Sequence, residues 1–295
     1  MKIACRYARS TSNTSVLQSL PGLVLAVMVV FGGSPASAAP ILGSTLASFA
    51  VLGASDVTCV PTCVIGGNVG SFPTAPTALL TDFSFSYGTL QPGGEGLAQT
   101  QLTAAILAVN ANAPGTPIGS SLDAWQSSHG GVISPGTYAV SAATTNLTGD
   151  IFLDGGGSNT AVWNFLASSS LITDNGSNVF VQNVGDGAGV GIYWTVGSGA
   201  TLNGDTFAGN VMASDFISSD GGLTLGCGRL MSDTANVTLI ADTISTGCVG
   251  FAASGGFDQG NPDTGAPGQT VPEPSSLALL GLGLAALGFA RRRHG

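Results

Sequence analysis

Residues 199–246 contain an internal repeat, and this repeat constrains the possible folds more than any other feature of the sequence. The segment GDTFAGNVMAS (204–214) aligns without a gap on GLTLGCGRLMS (222–232), at a period of 18 residues, and ADTIST (241–246) continues the pattern. Short strands at such a period are typical of a solenoid, in which each coil buries its apolar side only against neighbouring coils. The repeat therefore predicts a stack of β-coils.

Strand alternation assigns a direction to each side chain of the repeat, because successive side chains of a strand point to opposite sides. We expect Phe207, Leu225 and Ile244 to point into the core. The positions beside them should point outward and form columns across the coils. The outward columns are Thr206, Thr224 and Thr243; Ala208, Gly226 and Ser245; and a weaker one of Thr201 and Thr238, which Ile217 interrupts. Because threonine is common on any strand surface, the columns alone leave open whether they bind a ligand.

Short β-rich runs separated by turns of Gly, Asn, Asp and Ser make up most of the remaining body, which predicts a mainly β fold. One segment, EGLAQTQLTAAILAVNA (95–111), has helical periodicity instead. Its apolar residues Leu102, Ile106 and Val109 fall at spacings of +4 and +3. We expect a single amphipathic helix that packs against the surface of the sheet.

The N-terminal residues 1–38 have the organisation of a secretory signal. The positively charged residues are Lys2, Arg6 and Arg9. An apolar run, LPGLVLAVMVVF (20–31), follows, and Ala-Ser-Ala at 36–38 fits the rule for signal peptidase cleavage. The alternative is a membrane anchor, but this run is shorter than the roughly 20 residues needed to cross a bilayer. We expect the mature chain to begin near Ala39.

The C-terminal residues 271–295 resemble the PEP-CTERM sorting signal of Gram-negative bacteria. Its three parts occur in order: Pro272, Glu273 and Pro274; an apolar helix at 277–290; and Arg291, Arg292 and Arg293. The arginine cluster would hold its end on the cytoplasmic side during transient membrane insertion. The resemblance implies that an exosortase removes this tail and that the protein reaches the cell envelope or extracellular matrix. Residues 253–270, rich in Gly, Pro and Asp, separate the tail from the body at 39–252 as a flexible linker.

The charges of the body exclude several partners. Between Ala39 and Thr270 there are fifteen acidic residues and a single basic one, Arg229, which gives a formal charge of −14. Such a surface cannot neutralise several phosphates, so nucleic acid is excluded, and no lysine is available for a Walker-type nucleotide site. Attraction to anionic lipid is disfavoured for the same reason.

Four cysteines remain once Cys5 is lost with the signal. An even number in an exported protein favours disulfides. The favoured pairs are Cys59 with Cys63 and Cys227 with Cys248, one of three possible connectivities. The second pair is separated by 21 residues, about one coil, so stacking could bring the two into bonding range. A zinc site is the weaker alternative, because the spacings do not fit and His129 is the sole body histidine.

Several motifs of the body resemble the ice-binding protein family of bacteria, fungi and algae, and they occur in the same order. They are LGSTLASFAVLGASDVT (42–58), VIGGNVGS (64–71), ISPGTYAVSAATTNLTGDIFLDGGG (133–157), AVWNFLASSSLIT (161–173) and IYWTVGSGATLNGDTFAGNVMAS (192–214). The resemblance implies a discontinuous right-handed parallel β-helix with one long α-helix alongside. It also implies a flat outer face that binds ice through small residues and their hydration water, with no cofactor.

The outward columns are compatible with this implied function. Ice presents no charge, so its binder needs a flat, rigid and repetitive surface. Threonine offers a methyl and a hydroxyl group on a side chain with a stiff χ1 angle. The Thr206, Thr224 and Thr243 column is the primary candidate, flanked by the column of Ala208, Gly226 and Ser245.

A structural or adhesive matrix protein of the same fold is the alternative function. Enzymatic functions fit the sequence less well. A polysaccharide lyase needs basic residues that the body lacks. A hydrolase could use Asp150 with Asp154, or Asp215 with Asp220, but these aspartates mostly lie in turn-rich stretches. A Ser-His-Asp site with His129 and Asp123 lacks the G-x-S-x-G motif, and no EF-hand calcium loop is present.

Overall fold

The computed structural model describes residues 41–142, 144–251 and 254–258. Within these residues the chain forms eighteen strands, two α-helices and two short 3-10 helices, Leu46–Ser48 and Leu80–Asp82. The strands, in chain order, are β1 Phe49–Gly53, β2 Val57–Cys59, β3 Cys63–Gly66, β4 Asn68–Ser71, β5 Phe83–Tyr87, β6 Thr116–Gly119, β7 Gly136–Val140, β8 Asp150–Asp154, β9 Val162–Ala167, β10 Leu171–Thr173, β11 Asn178–Gln182, β12 Gly191–Val196, β13 Ala200–Leu202, β14 Thr206–Ala213, β15 Ile217–Ser219, β16 Thr224–Ser232, β17 Val237–Leu239 and β18 Thr243–Ser245. The α-helices are α1 Gly96–Asn110 and α2 Leu122–Ser128.

The strands stack in parallel into three faces of a β-helix, which confirms the predicted fold class. In spatial order, face 1 contains β5, β3, β18, the first parts of β16 and β14, β11 and β8; face 2 contains β2, β17, β15, β13 and β10; and face 3 contains β4, β1, the second parts of β16 and β14, β12, β9, β7 and β6. Strands β14 and β16 turn the corner between face 1 and face 3. Face 1 and face 2 are open, whereas α1 covers face 3.

The coils do not stack in the order of the chain. The first coil, β1 to β3, lies against the last coil, because β1 pairs with β16, β2 with β17 and β3 with β18. Helix α1 then carries the chain from β5 at one end of the stack to β6 at the other. Its 15 residues span about 22 Å, or between four and five coil spacings of about 4.8 Å. This break in stacking order is the discontinuity that the family resemblance implied.

Two apolar cores result from this arrangement. The first lies inside the coils, where Phe207, Leu225 and Ile244 are at most 2% exposed, as strand alternation predicted. The second lies between α1 and the outer side of face 3. It joins helix residues to strand residues of four coils: Ala98, Leu102, Ala105 and Val109 with Leu52, Tyr193, Met212 and Met231. Ile106, predicted to face the sheet with Leu102 and Val109, packs only at the edge of this core.

The structure contains the two disulfides that the sequence favoured. Cys59 is bonded to Cys63 across the turn between β2 and β3. Cys227 is bonded to Cys248, with the two Cα atoms 4.3 Å apart. Cys227 is an extra residue in β16 with φ +65°, and it lies where the strand turns from face 1 to face 3. The second disulfide therefore fastens this corner of one coil to the next stretch of chain.

The described C-terminal residues 254–258 pack against the β-helix, so the body extends beyond the predicted boundary at 252. Arg229, 1% exposed, forms an ion pair of 3.2 Å with Asp258. Its guanidinium also donates to the carbonyls of Gly255 and Gly256 and, on the N-terminal side, to that of Ala47. The single cation of the body thus joins the beginning and the end of the domain, and 254–258 is not part of the linker.

A buried carboxylate, Asp242, stabilises the corner between face 2 and face 1. It accepts hydrogen bonds from the Ser219 hydroxyl and from the backbone N–H groups of Leu223 and Ile240. Burial raises the pKa of Asp242 above its usual 3.8, and nearby Asp220 acts in the same direction, although these hydrogen bonds oppose the rise. The folded protein consequently holds this proton more tightly than the unfolded chain does.

This difference predicts how Asp242 affects stability as pH changes. The stabilising contribution of the bound proton is present below the unfolded pKa and is lost as the pH rises through the folded pKa. In urea unfolding between pH 3.5 and 7, we expect the stability of Asp242→Asn relative to the wild type to improve as pH rises. Asp154→Asn is the opposite control, since hydrogen bonds from Gly156, Gln182 and Asn183 lower the pKa of Asp154. A pH-independent difference for Asp242→Asn would contradict the interpretation.

No helix in the described part of the chain is long and apolar enough to span a membrane. The predicted signal at 1–38, the tail at 271–295 and most of the linker at 253–270 lie outside the described residues.

Candidate functional site

The three predicted threonines form one column on face 1. Thr206 pairs with Thr224, and Thr224 with Thr243, as the repeat predicted. The strand register extends this column in both directions beyond the repeat. In spatial order the column is Asp150, Asn178, Thr206, Thr224, Thr243, Val64 and Ser84. The N-terminal coil therefore adds Val64 and Ser84 to the surface formed by the repeat.

The threonine hydroxyl groups are available to solvent. Thr224 and Thr243 are exposed, and Thr206 is half-buried. Among the described residues, none of the three hydroxyls has a hydrogen-bond partner. A hydroxyl without a protein partner is free to order water, and the strand ladder fixes the distance between successive hydroxyls at about 4.8 Å.

The second column of face 1 is open at its centre only. Its predicted members Ala208, Gly226 and Ser245 are in register, and Gly66 and Tyr87 continue the column. A side chain added at Gly226 would meet nothing within 4 Å, so this position faces open solvent. Ala208, in contrast, is only 6% exposed and belongs to the packed core. The expectation that Ala208 is an open surface residue was wrong, because it lies at the corner where β14 turns into face 3.

Ser245 also differs from the expectation, because its hydroxyl is already bonded. It accepts a hydrogen bond from the backbone N–H of Gly247 at 3.0 Å. The hydroxyl of Tyr87 lies 3.2 Å from it and 2.9 Å from that of Thr246. Ser245 is in the predicted column, but it does not present a free hydroxyl.

The far end of face 1, formed by β8 and β11, has a different chemistry. Asp150 accepts a hydrogen bond from Asn178, and Asp154 accepts hydrogen bonds from Gln182 and Asn183. The rings of Phe152 and Phe180 stack between these groups, with centroids 5.4 Å apart. Two acidic residues, Asp150 and Asp154, therefore lie on a strand of face 1 rather than in turns. This end bounds the uncharged region, whose centre consists of the coils of Thr206, Thr224 and Thr243.

Face 2 contains a regular outward column that the sequence identified only in part. Its half-buried members are Ile172, Thr201, Ser218, Thr238 and Thr58. Ser218, not Ile217, lies between the two predicted threonines, and Ile217 points into the core at 1% exposed. The Thr201 hydroxyl accepts from Ser218 at 3.4 Å, and that of Thr238 accepts from Asn236 at 2.9 Å. These hydroxyls are less available than those of face 1.

The residues considered for catalysis are engaged in local structure. His129 directly follows α2, a helix that the sequence patterns did not predict, and its ring stacks on that of Trp125 with centroids 4.0 Å apart. Asp123 instead accepts hydrogen bonds from Ser121 and Thr148. A cavity of about 360 Å³ at the end of α1 is lined by residues such as Asn110 and Thr195, without an ionisable side chain. Among the described residues, no group of three or more His, Cys, Asp or Glu is arranged to hold a metal ion.

These features define a parallel β-helix whose face 1 carries no charged side chain in the two columns of its three central coils. Residues 51–245 match the model of the Ice-binding-like family, and residues 270–293 match the PEP-CTERM protein-sorting motif. The chain belongs to the Ice-binding-like family.

Similar proteins agree with this assignment. An ice-binding protein of Nostoc sp. (strain HG1) is 31% identical over 260 residues, which cover 85% of this chain and 86% of the relative. An ice-binding protein of Flavobacterium frigoris (strain PS1) is 29% identical, covering 68% and 74% respectively. Among solved structures, an ice-binding protein from an Antarctic biological consortium has a TM-score of 0.59 at 26% identity, covering 70% of this chain and 91% of that one. One from Antarctomyces psychrotrophicus, at 24% identity, has a TM-score of 0.57 over 68% and 96%.

Proposed function

We propose that this protein binds ice through face 1. The observation that carries the proposal is the column of Thr206, Thr224 and Thr243, whose hydroxyls lack protein partners beside the open position at Gly226. Stiff χ1 angles and a rigid ladder would hold methyl and hydroxyl groups in a fixed array, so little ordering entropy is lost on contact with a crystal. The corresponding column of face 2, with Thr201 and Thr238, is the weaker candidate because its hydroxyls bond to neighbours.

The proposed activity needs neither catalysis nor a cofactor. Ice is a neutral surface, and the three central coils of face 1 carry no charged side chain in either column. The many aspartates elsewhere would keep the domain soluble without contacting ice. Growth inhibition, inhibition of recrystallisation and adhesion to ice would all follow from binding at this surface.

We further propose that the protein acts outside the cytoplasm. Signal peptidase would remove residues 1–38, and an exosortase would process the tail at 271–295 after transient insertion in the inner membrane. The match to the PEP-CTERM protein-sorting motif at 270–293 supports export to the cell envelope or extracellular matrix. The folded body, whose described residues begin at Ile41 and end at Asp258, would then meet ice from the cell surface or the matrix.

Bulky substitutions on the two open faces test the assignment to face 1. Gly226→Tyr and Thr224→Tyr place a ring at outward positions of face 1, so we expect both variants to fold. The concentration needed to inhibit ice recrystallisation should rise at least about tenfold, equivalent to ~1.4 kcal/mol of binding free energy. Ser218→Tyr is the matched control on face 2 and should retain wild-type activity.

The opposite pattern, with activity lost only in Ser218→Tyr, would assign ice binding to face 2. A wild-type protein that neither shapes ice crystals nor becomes enriched in a growing ice hemisphere would instead favour the structural or adhesive matrix protein. Circular dichroism of each variant at the assay temperature distinguishes lost binding from unfolding.

A further inference from the structure

The ring of Tyr87 lies across face 1 at the edge of the proposed ice-binding surface. A methyl group added at Gly66 would be 2.9 Å from Cε1 of Tyr87, and one added at Gly247 would be 3.0 Å from its hydroxyl. Because both positions are glycine, there is room for the ring between them. The hydroxyl reaches Thr246 at 2.9 Å, while the side chain as a whole remains 48% exposed. Tyr87 is therefore a large side chain fixed over a column of small ones.

The surface beneath and beside this ring consists of small or β-branched residues without charge, like the centre of face 1. Val64 and Ser84 extend the threonine column by two coils, and Val64 is 42% exposed. In the second column, Ser245 and Gly66 are small. Three open coils span about 10 Å, whereas five would span about 19 Å at the usual strand spacing. The ring of Tyr87 lies against Gly66 of the second column, within this five-coil span.

We propose that Tyr87 limits the area of face 1 that contacts ice, and thereby sets the protein's activity below what its β-helix could support. This inference rests on the proposed function of face 1. The ring acts through its bulk, because it keeps the ice plane away from the Val64 and Ser84 coils.

Two substitutions at this position separate bulk from hydrogen bonding. Tyr87→Thr removes the ring and keeps a residue suited to a strand. We expect it to inhibit recrystallisation at a concentration at least about twofold lower than the wild type, because the open face grows from three coils to five. Tyr87→Phe keeps the ring and loses both hydroxyl contacts, so it should retain wild-type activity. The unfolding temperature of each variant verifies that the assays compare folded proteins.

Each outcome decides between the alternatives. A folded Tyr87→Thr with unchanged or weaker activity would overturn the inference while leaving ice binding by face 1 intact. An equal gain in Tyr87→Phe would overturn the role of bulk. If wild type and Tyr87→Thr both fail to shape ice at any concentration, the proposed function itself is wrong. If only Tyr87→Thr shapes ice, the ring masks the face entirely and the inference is supported.

Discussion

Replacing Arg229 with methionine should lower the free energy of unfolding by about 3–5 kcal/mol, the usual cost of removing one partner of a buried ion pair. Arg229 is 1% exposed, lies 3.2 Å from Asp258 and donates to the side-chain oxygen of Asn210 at 2.9 Å. It also donates to the carbonyls of Ala47 and Gly255 at 2.7 and 2.8 Å. Methionine fills similar space but provides none of these donors. Urea unfolding followed by circular dichroism measures the change.

Two further variants identify what Arg229 contributes. Arg229→Lys keeps the charge but loses the planar group that reaches several acceptors at once, so we expect an intermediate loss. Arg229→Met combined with Asp258→Asn removes both charges and should recover part of the stability lost in Arg229→Met alone. A loss below about 1 kcal/mol for Arg229→Met would show that the contacts of Arg229 with Ala47 and with residues 255–258 contribute little to the free energy of unfolding.

The repeat predicted face 1 well because its geometry is local. The pairing of Thr206 with Thr224 follows from counting 18 residues along the repeat. The ungapped alignment of 204–214 with 222–232 holds as far as Ala208 and Gly226 and is wrong beyond them, because the extra residue Cys227 shifts the register by one. The predicted column of face 2 was wrong at one residue, Ile217 in place of Ser218, because the coils of this face are separated by loops of unequal length. Thr201 is followed by Ser218 after 17 residues, and Ser218 by Thr238 after 20. Strand alternation could have corrected this prediction, because an apolar residue such as Ile217 is expected to point into the core and its neighbour Ser218 outward.

Other features could not be read from local patterns, because they depend on contacts distant in sequence. Tyr87 and Ser245 are 158 positions apart, and they meet only because the first coil stacks on the last. The contacts of Arg229 likewise join residues distant in sequence, because Ala47 lies at the beginning of the domain and Asp258 at its end. Helix α2 did have a local signal: the Ser121 side chain accepts from the backbone N–H of Ala124, and Asp123 lies in the first turn. The burial of Ala208 depends on a corner that the pairing of strands alone does not reveal.

The core beneath face 1 is the second place where a large effect is expected. Trp194 is 1% exposed, and its ring stacks on Phe165 with centroids 3.9 Å apart and contacts Phe207 at 5.0 Å. Its Nε1 donates to the carbonyl of Ala208 at 3.0 Å, at the corner where face 1 ends. Trp194→Ala should therefore lower the free energy of unfolding by about 3–5 kcal/mol, as truncation of a buried tryptophan usually does.

A milder pair of variants connects this core to function. Trp194→Phe and Trp163→Phe each keep an aromatic ring and lose one indole donor, at a cost of about 1–3 kcal/mol. Trp163 donates to Ile133, at a distance from the central coils, whereas Trp194 donates to Ala208, directly beside Phe207 and the threonine column. If the rigidity of face 1 determines ice binding, the folded Trp194→Phe protein should inhibit recrystallisation less than the folded Trp163→Phe protein. Equal activities would mean that the strand ladder alone keeps the face flat.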